Sequence, residues 1–194
     1  MTTYFAHETA VIDEGASIGS GTKIWHFCHI MPNTIIGKDC ILGQNVVVMP
    51  EVTLGDFVKV QNNVSLYTGV LCEDYVFIGP SAVFTNVMNP RSAIERKNEY
   101  KKTRVKKGAT IGANATIVCG IEIGEYAFIG AGSVVTKSIP AYALVMGNPA
   151  KQTGWMSEAG YKLSFNEEGI ATCPHSNKMY RLSHKTPQSI IHLI

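Results

Sequence analysis

The chain has no long apolar run. None of its 194 residues lies in a segment long and apolar enough to span a bilayer, and the N-terminal MTTYFAHETA lacks the charged and apolar blocks of a signal peptide. A cytoplasmic protein with no membrane partner is therefore expected. Charge of one sign is missing too. Seventeen Lys and Arg against fifteen Asp and Glu leave a formal net charge of +2, which argues against nucleic-acid binding by bulk electrostatics. There are only five cysteines, too few and too irregularly placed for a disulfide framework. Histidine is also sparse in the patterned part of the chain, which holds only His26 and His29. A zinc hydratase on this scaffold would need three converging histidines, so that reading is set aside.

What is present is a period of six. From Ile12 to Asn89 the chain reads IDEGAS, IGSGTK, IWHFCH, IMPNTI, IGKDCI and so on for thirteen hexads, and from Val105 it resumes with VKKGAT, IGANAT, IVCGIE, IGEYAF, IGAGSV and VTKSIP. The first residue of each hexad is aliphatic with few exceptions, such as Cys72 and Phe84, and the fifth is small or β-branched. Fifth and first residues of successive hexads are two apart, so they share the inner face of a short extended segment, with Gly, Asn and Asp between them suited to a tight turn. Period six does not fit a helix. Three hexads close one triangular coil, and nineteen hexads stack into just over six coils around a continuous core. Cys28 and Cys40 at fifth positions and Cys72 at a first position read as core hydrophobes.

The register breaks once. Between Pro90 and Lys107 lie eight of the seventeen basic residues, in a stretch read as a loop of about residues 89–104 projecting from one corner. Long loops on rigid scaffolds tend to serve sites, and phosphates are the anions that such a loop would meet. Residues eighteen apart sit one above another. His26, Gln44 and Asn62 therefore form a polar ladder at one corner, with Asn45 and Asn63 beside it, where asparagine is also a natural turn residue. Asn86 falls at the following corner, immediately before the basic loop. Outward sixth positions include Ile35, Ile41, Val47, Leu71, Phe77 and Val83, which suggests a closed cyclic oligomer.

The hexads, the single loop and the closing IGAGSVVTKSIPAYALVMGNPAK resemble the left-handed β-helix acetyltransferases that use acetyl-coenzyme A, over about residues 6–154. More narrowly, KIWHFCHI, VQNNVSLY and VFTNVMNPRSAIERK resemble bacterial enzymes that acetylate the 3-amino group of UDP-2-acetamido-3-amino-2,3-dideoxyglucuronate for O-antigen and lipopolysaccharide sugars. The resemblance implies an all-β, left-handed parallel β-helix in residues 1–154, a C-terminal tail in 155–194, and a homotrimer with acetyl-coenzyme A and the UDP-linked amino sugar in the groove between neighbouring chains.

It also implies site roles. The amine must attack a thioester carbonyl while the oxyanion is stabilised. Asn86 is expected to orient the amine, with the departing thiolate taking its proton; His26 as general base is the alternative. Gln44, Asn62 and Asn63 would line the sugar or diphosphate pocket, and Arg91 and Arg96 would meet the uronate carboxylate or the diphosphate. Gly112, Ala113, Gly130, Ala131 and Gly132 would let the pantetheine approach the backbone, and Gly147, Asn148, Pro149 and Lys151 match the motif that ends the coils in coenzyme A-dependent members.

After Trp155 the register is lost, and YKLSF with KMYRLS is expected to form a hairpin. Cys173 and His175 alone cannot complete a zinc site, so no metal is expected. Another nucleotide-linked 3-amino or 4-amino deoxyhexose is the alternative acceptor, and a structural β-helix subunit the alternative of another class.

Overall fold

The computed structural model describes residues 3–183 and 190–193. Each hexad contributes its sixth residue and the next hexad's first to a two-residue strand, as in Lys23–Ile24, His29–Ile30 and Ile35–Ile36. Strands eighteen residues apart pair in parallel, for example Lys23 with Ile41 and His29 with Val47. Three sheets form the walls of a prism. The first face has eight parallel strands, from Phe5–Ala6 to Ala143–Met146, closed by antiparallel Lys151–Trp155; the second has seven strands and the third six. The first face therefore stacks eight levels, where nineteen hexads give just over six coils. The additional strands come from Phe5–Ala6 and Val11–Ile12 at one end and Ala143–Met146 at the other. In AHETAV, Ala6 stands where the pattern calls for a larger aliphatic, so the first hexad carries too weak a hydrophobic signal to be counted.

The inward assignment holds. First positions such as Ile24, Ile30, Leu42, Val60 and Ile111 are fully buried, and so are fifth positions such as Val46, Val58, Val64 and Ala109. Each buried aliphatic stabilises the stack by about 2 kcal/mol. Polar fifth positions are satisfied within the coil: the Thr22 hydroxyl donates to the Gly37 carbonyl at 2.8 Å and accepts from the Cys40 N–H at 3.0 Å. The thiol of Cys28 donates to the Gly43 carbonyl at 3.0 Å. Burial raises the thiols of Cys28 and Cys40 and pushes Cys72 up to about 12, so all three are inert fillers.

Two devices make six residues turn a corner and let the coils stack. The fourth residue of every hexad from Gly15 to Ser81 has positive φ, and it does so again from Gly108 to Gly132. Glycine and asparagine enter this region readily, but Phe27, Phe57, Tyr75 and Tyr126 also adopt it, at about 1–2 kcal/mol each. The second residue is often glycine for a different reason. A Cβ on Gly19 would lie 2.5 Å from the Gly37 carbonyl carbon, and one on Gly112 2.5 Å from the Ala131 nitrogen. These glycines are where one coil's backbone rests on the next.

The insertion sits between the Val83–Phe84 and Thr103–Val105 strands. Val70 pairs with Thr103, a spacing of 33 residues where eighteen is the rule, so fifteen residues are accommodated beyond the coil. The expected end at residue 104 moves back, because Thr103 and Arg104 already belong to the strand, and Thr103 is a buried fifth position. Lys106 and Lys107 also lie in the coil. There the Lys106 ammonium donates to Glu73 Oε1 at 2.9 Å and the Lys107 N–H to Oε2 at 3.0 Å. The Lys106 hydrogen bond holds the Glu73 carboxyl below its ordinary value and seats the chain where the coil resumes.

Residues after Trp155 form a small antiparallel sheet of Ile170–Thr172, Met179–Ser183 and Ile190–Leu193. KMYRLS is a strand as expected, but its partners are Ile170–Thr172 and Ile190–Leu193, not YKLSF. Leu163, Ala171, Cys173 and Tyr180 make a second core. Tyr142 stacks edge-on with Tyr180, its hydroxyl donates to Glu158 at 3.2 Å, and Lys178 closes on the same carboxylate at 2.7 Å. Burial raises the Cys173 thiol, but hydrogen bonds with Ser157 and Ser176 outweigh it and leave the thiol at about 7. Among the described residues no group of three His, Cys, Asp or Glu is placed to hold a metal.

Candidate active site at two corners of the prism

The expected site residues separate onto two edges of one face. The first corner, between the first and second faces, carries His26, Gln44, Asn62, Asn45 and Asn63 in its lower coils and Gly112, Ala113, Gly130, Ala131 and Gly132 in its upper ones. Gly147, Asn148 and Pro149 cap it, exposed, with Lys151 opening the strand that pairs with Met146. The ladder and the small-residue strip are thus one continuous edge, polar below and bare above. The second corner, between the second and third faces, carries Asn86 and the insertion with Arg91 and Arg96.

At the first corner a depression of about 290 Å³ is lined by Trp25, His26, Ile41, Gly43, Gln44, Gln61 and Asn62. Asn62 Oδ1 accepts from the Gln44 N–H at 2.9 Å. Asp56 and Asp74 do the same at the third corner, accepting from the N–H groups of Lys38 and Asp56, so half of the Asn62 amide is explained by coil stacking. Asn45 and Asn63 have φ of 59° and 61° and hydrogen-bond each other at 3.0 Å. Both are turn residues by geometry. The His26 ring stacks on His7 at 3.6 Å and lies nearly parallel to Trp25 at 6.2 Å.

At the second corner Asn86, Val87, Pro90, Arg91, Ile94, Glu95, Arg96, Lys97 and Tyr100 line a depression of about 260 Å³. The Asn86 carbonyl accepts from the Lys101 N–H at 2.8 Å, pinning the base of the insertion. Arg96 lies against Glu99, its Nη1 donating to both carboxylate oxygens at 2.8 and 2.9 Å, while its buried Nε has no partner. The register of Val83 with Thr116 and Phe84 with Ile117 places the buried Cys119 one coil above Asn86.

Sequence reasoning missed His7, Trp25 and Gln61, although the eighteen-residue spacing that found the ladder also aligns these second positions of their hexads. It also missed two acids. Glu99 is the partner of Arg96, and Asp13 Oδ2 lies 3.0 Å from His29 Nε2. The His29–Asp13 pair has the form of an oriented base, but within one chain it lies three coils, about 14 Å, below Asn86. The outward apolar residues do not form one stripe. Ile41 and Phe77 are on the first face, Val47 and Val83 on the second, Ile35 and Leu71 on the third. The second face alone has no Lys, Arg, Asp or Glu among its outward strand residues, which are Val11, His29, Val47, Ser65, Val83, Thr116 and Val134.

The chain matches the family model "Bacterial transferase hexapeptide (six repeats)" over residues 15–50 and 102–137, and "Hexapeptide repeat of succinyl-transferase" over 33–68. It is 44% identical over 172 residues, 88% of each chain, to a dTDP-3-amino-3,6-dideoxy-alpha-D-galactopyranose 3-N-acetyltransferase from Aneurinibacillus thermoaerophilus. Among solved structures it is similar to the acetyltransferase domain of PglB from Neisseria gonorrhoeae, with a TM-score of 0.55 and 23% identity, over 78% of this chain and 58% of that one. It is also similar to GDP-perosamine N-acetyl transferase from Caulobacter crescentus in complex with CoA and GDP-perosamine, with a TM-score of 0.52 and 18% identity, over 79% and 57%.

Proposed function

This chain belongs to the bacterial hexapeptide-repeat family of acetyl-coenzyme A-dependent N-acetyltransferases acting on nucleotide-linked amino sugars, and from that premise we propose that its acceptor is the 3-amino group of UDP-2-acetamido-3-amino-2,3-dideoxyglucuronate. The observation that carries the uronate is the depression at the second corner, where Asn86 stands with Arg91 and Arg96. Arginine's planar fork suits a carboxylate, and Arg96 holds Glu99 through Nη1 alone, which leaves Nη2 uncommitted. The amine nitrogen, held by the Asn86 amide oxygen, attacks the thioester carbonyl. The C–N bond forms, the C–S bond breaks, and the amine proton passes to the departing thiolate. The strip of Gly112, Ala113, Gly130, Ala131 and Gly132 supports the thioester arm, because these residues put nothing larger than a methyl between a thin ligand and the backbone.

In a single chain the strip and Asn86 are on opposite edges of the second face. A homotrimer in which that uncharged face meets a neighbouring copy would bring one chain's first corner to another's second corner. A single-chain mass by light scattering, with turnover intact, would remove this part of the reading.

The relative's printed substrate favours a second reading, a neutral dTDP-linked 3-amino-3,6-dideoxyhexose. The deciding measurement is thiol release from acetyl-coenzyme A with the UDP uronate, the dTDP amino sugar and neutral 4-amino nucleotide sugars. Turnover of the uronate alone supports the proposal; turnover of the dTDP sugar in preference replaces it.

Glu99 adds a separate prediction. Its carboxylate occupies Arg96 in the free protein and competes with an anionic substrate for the same fork. Glu99→Gln is expected to lower KM for the uronate about fivefold, in line with an exposed ion pair of roughly 1 kcal/mol, and to leave a neutral sugar's KM unchanged. An equal change for both sugars would mean that Glu99 only shapes the loop.

A further inference from the structure

Resting on the proposed reaction with a nucleotide-linked sugar, we propose that the depression at the first corner is the nucleobase pocket, and that it takes a pyrimidine-2,4-dione, the ring shared by uracil and thymine. Its lining has no Lys, Arg, Asp or Glu. A diphosphate or carboxylate seated there would meet no cation of the lining itself, since Lys23 and Lys59, on the strands either side of the lining Ile41, are exposed to solvent, so the anionic part of the substrate lies beyond it.

What the walls present is a flat ring and neutral amides. Trp25 is 39% exposed although it is braced on two sides. Phe5 meets the indole edge-on at 5.6 Å, and the His26 ring lies nearly parallel to it, itself stacked on His7. A ring held in this way yet open to solvent offers a ready stacking face, and aromatic rings are the usual partners of nucleic bases. The side-chain amides of Gln44 and Gln61 make no hydrogen bond to another described residue, and Asn62 spends only its oxygen on the backbone. Each free amide carries both donors and an acceptor, which answers the acceptor–donor–acceptor edge of a pyrimidine dione.

Position along the prism agrees. Trp25 lies three coils, about 14 Å, below the coil of Asn86. Where a neighbouring copy's second corner meets this edge, as in the proposed homotrimer, an extended diphosphate spans such a gap between base and sugar. The glycine-rich strip for the thioester arm begins above that coil, so the two ligands approach the amine from opposite ends of one edge.

The test titrates the full-length protein with UDP, dTDP, GDP and inorganic pyrophosphate by calorimetry. Trp25→Leu is expected to weaken UDP and dTDP about tenfold or more, the usual scale for losing one base–aromatic stack, and Trp25→Phe to restore most of that loss. Gln61→Leu, which removes no hydrogen bond of the fold, is expected to weaken the same two ligands severalfold. Acetyl-coenzyme A binding should hold in all three variants, which also reports that they are folded. Stronger Trp25-dependent binding of either UDP or dTDP supports the proposal and names the nucleotide. Unchanged affinity in both Trp25→Leu and Gln61→Leu, parallel loss of pyrophosphate binding, or a Trp25-dependent preference for GDP overturns it. Tight Trp25-dependent UDP binding with no acetylation of any nucleotide amino sugar would overturn the proposed function and leave the pocket standing.

Discussion

Asn86→Ala is expected to lower kcat about a hundredfold, the lower end for a group that positions or accepts a proton in the reacting complex, with acetyl-coenzyme A affinity unchanged. The side chain stands half-buried beside Arg91 and Arg96, and its backbone carbonyl is tied to Lys101, so truncation leaves the loop anchored. The loss should be in kcat rather than KM, because an amide that orients a lone pair matters most as the N–C bond forms. Full turnover by the variant would remove Asn86 from the mechanism. His26→Asn losing rate while binding substrates normally would move the proton to His26, although in one chain that ring is three coils below and packed between His7 and Trp25.

The second large effect separates packing from binding within the glycine strip. Gly112→Ala is expected to destabilise the fold by about 3 kcal/mol, the upper range for overpacking, because the new Cβ would meet the Ala131 backbone at 2.5 Å and backbone has no rotamer with which to yield. Gly132→Ala meets nothing within 4 Å and bears only the strain of φ +69°, about 1 kcal/mol. If the strip receives the thioester arm, Gly132→Ala should raise the KM for acetyl-coenzyme A well beyond its small effect on thermal midpoint, whereas Gly112→Ala should show chiefly as a lower midpoint. Denaturant melts and KM for both variants decide it. Equal and small midpoint shifts would contradict the stacking role of Gly112.

The same contrast explains what could be read from the residues. Ile24, Leu42 and Val60 recur every eighteen residues because a closed three-sided coil must bury something at each level. Burial is a local demand, written directly into residue type. The ladder of His26, Gln44 and Asn62 was legible for the same reason: a fixed period converts sequence number into height and corner. Trp25 and Gln61 obey that period as well, but as a large aromatic and an amide at outward positions they carry no burial signal to mark them. The aromatic left-handed corners at Phe57 and Tyr75 run against local preference, and the stack imposes them.

The insertion marks where this legibility stops. Its basic residues were visible, but their partners were not. Arg96 finds Glu99 and Lys97 finds Glu95, while Arg104, Lys106 and Lys107 belong to the coil. An irregular loop has no period, so which charge meets which is settled only by its closed path. The C-terminal sheet is similar, with Met179–Ser183 pairing across a turn to Ile170–Thr172 because antiparallel pairing is chosen by geometry rather than by repeat.

By itself, then, the sequence determined the parallel solenoid, its inward residues and the height of every corner, because a six-residue burial period has one compact solution. Tertiary structure alone decided that the expected site divides between two edges of one face, that Arg96 is held by Glu99, and that a braced, open indole stands beside unspent amides. Those outcomes depend on contacts between residues far apart in the chain, whose energies are not encoded in any local pattern.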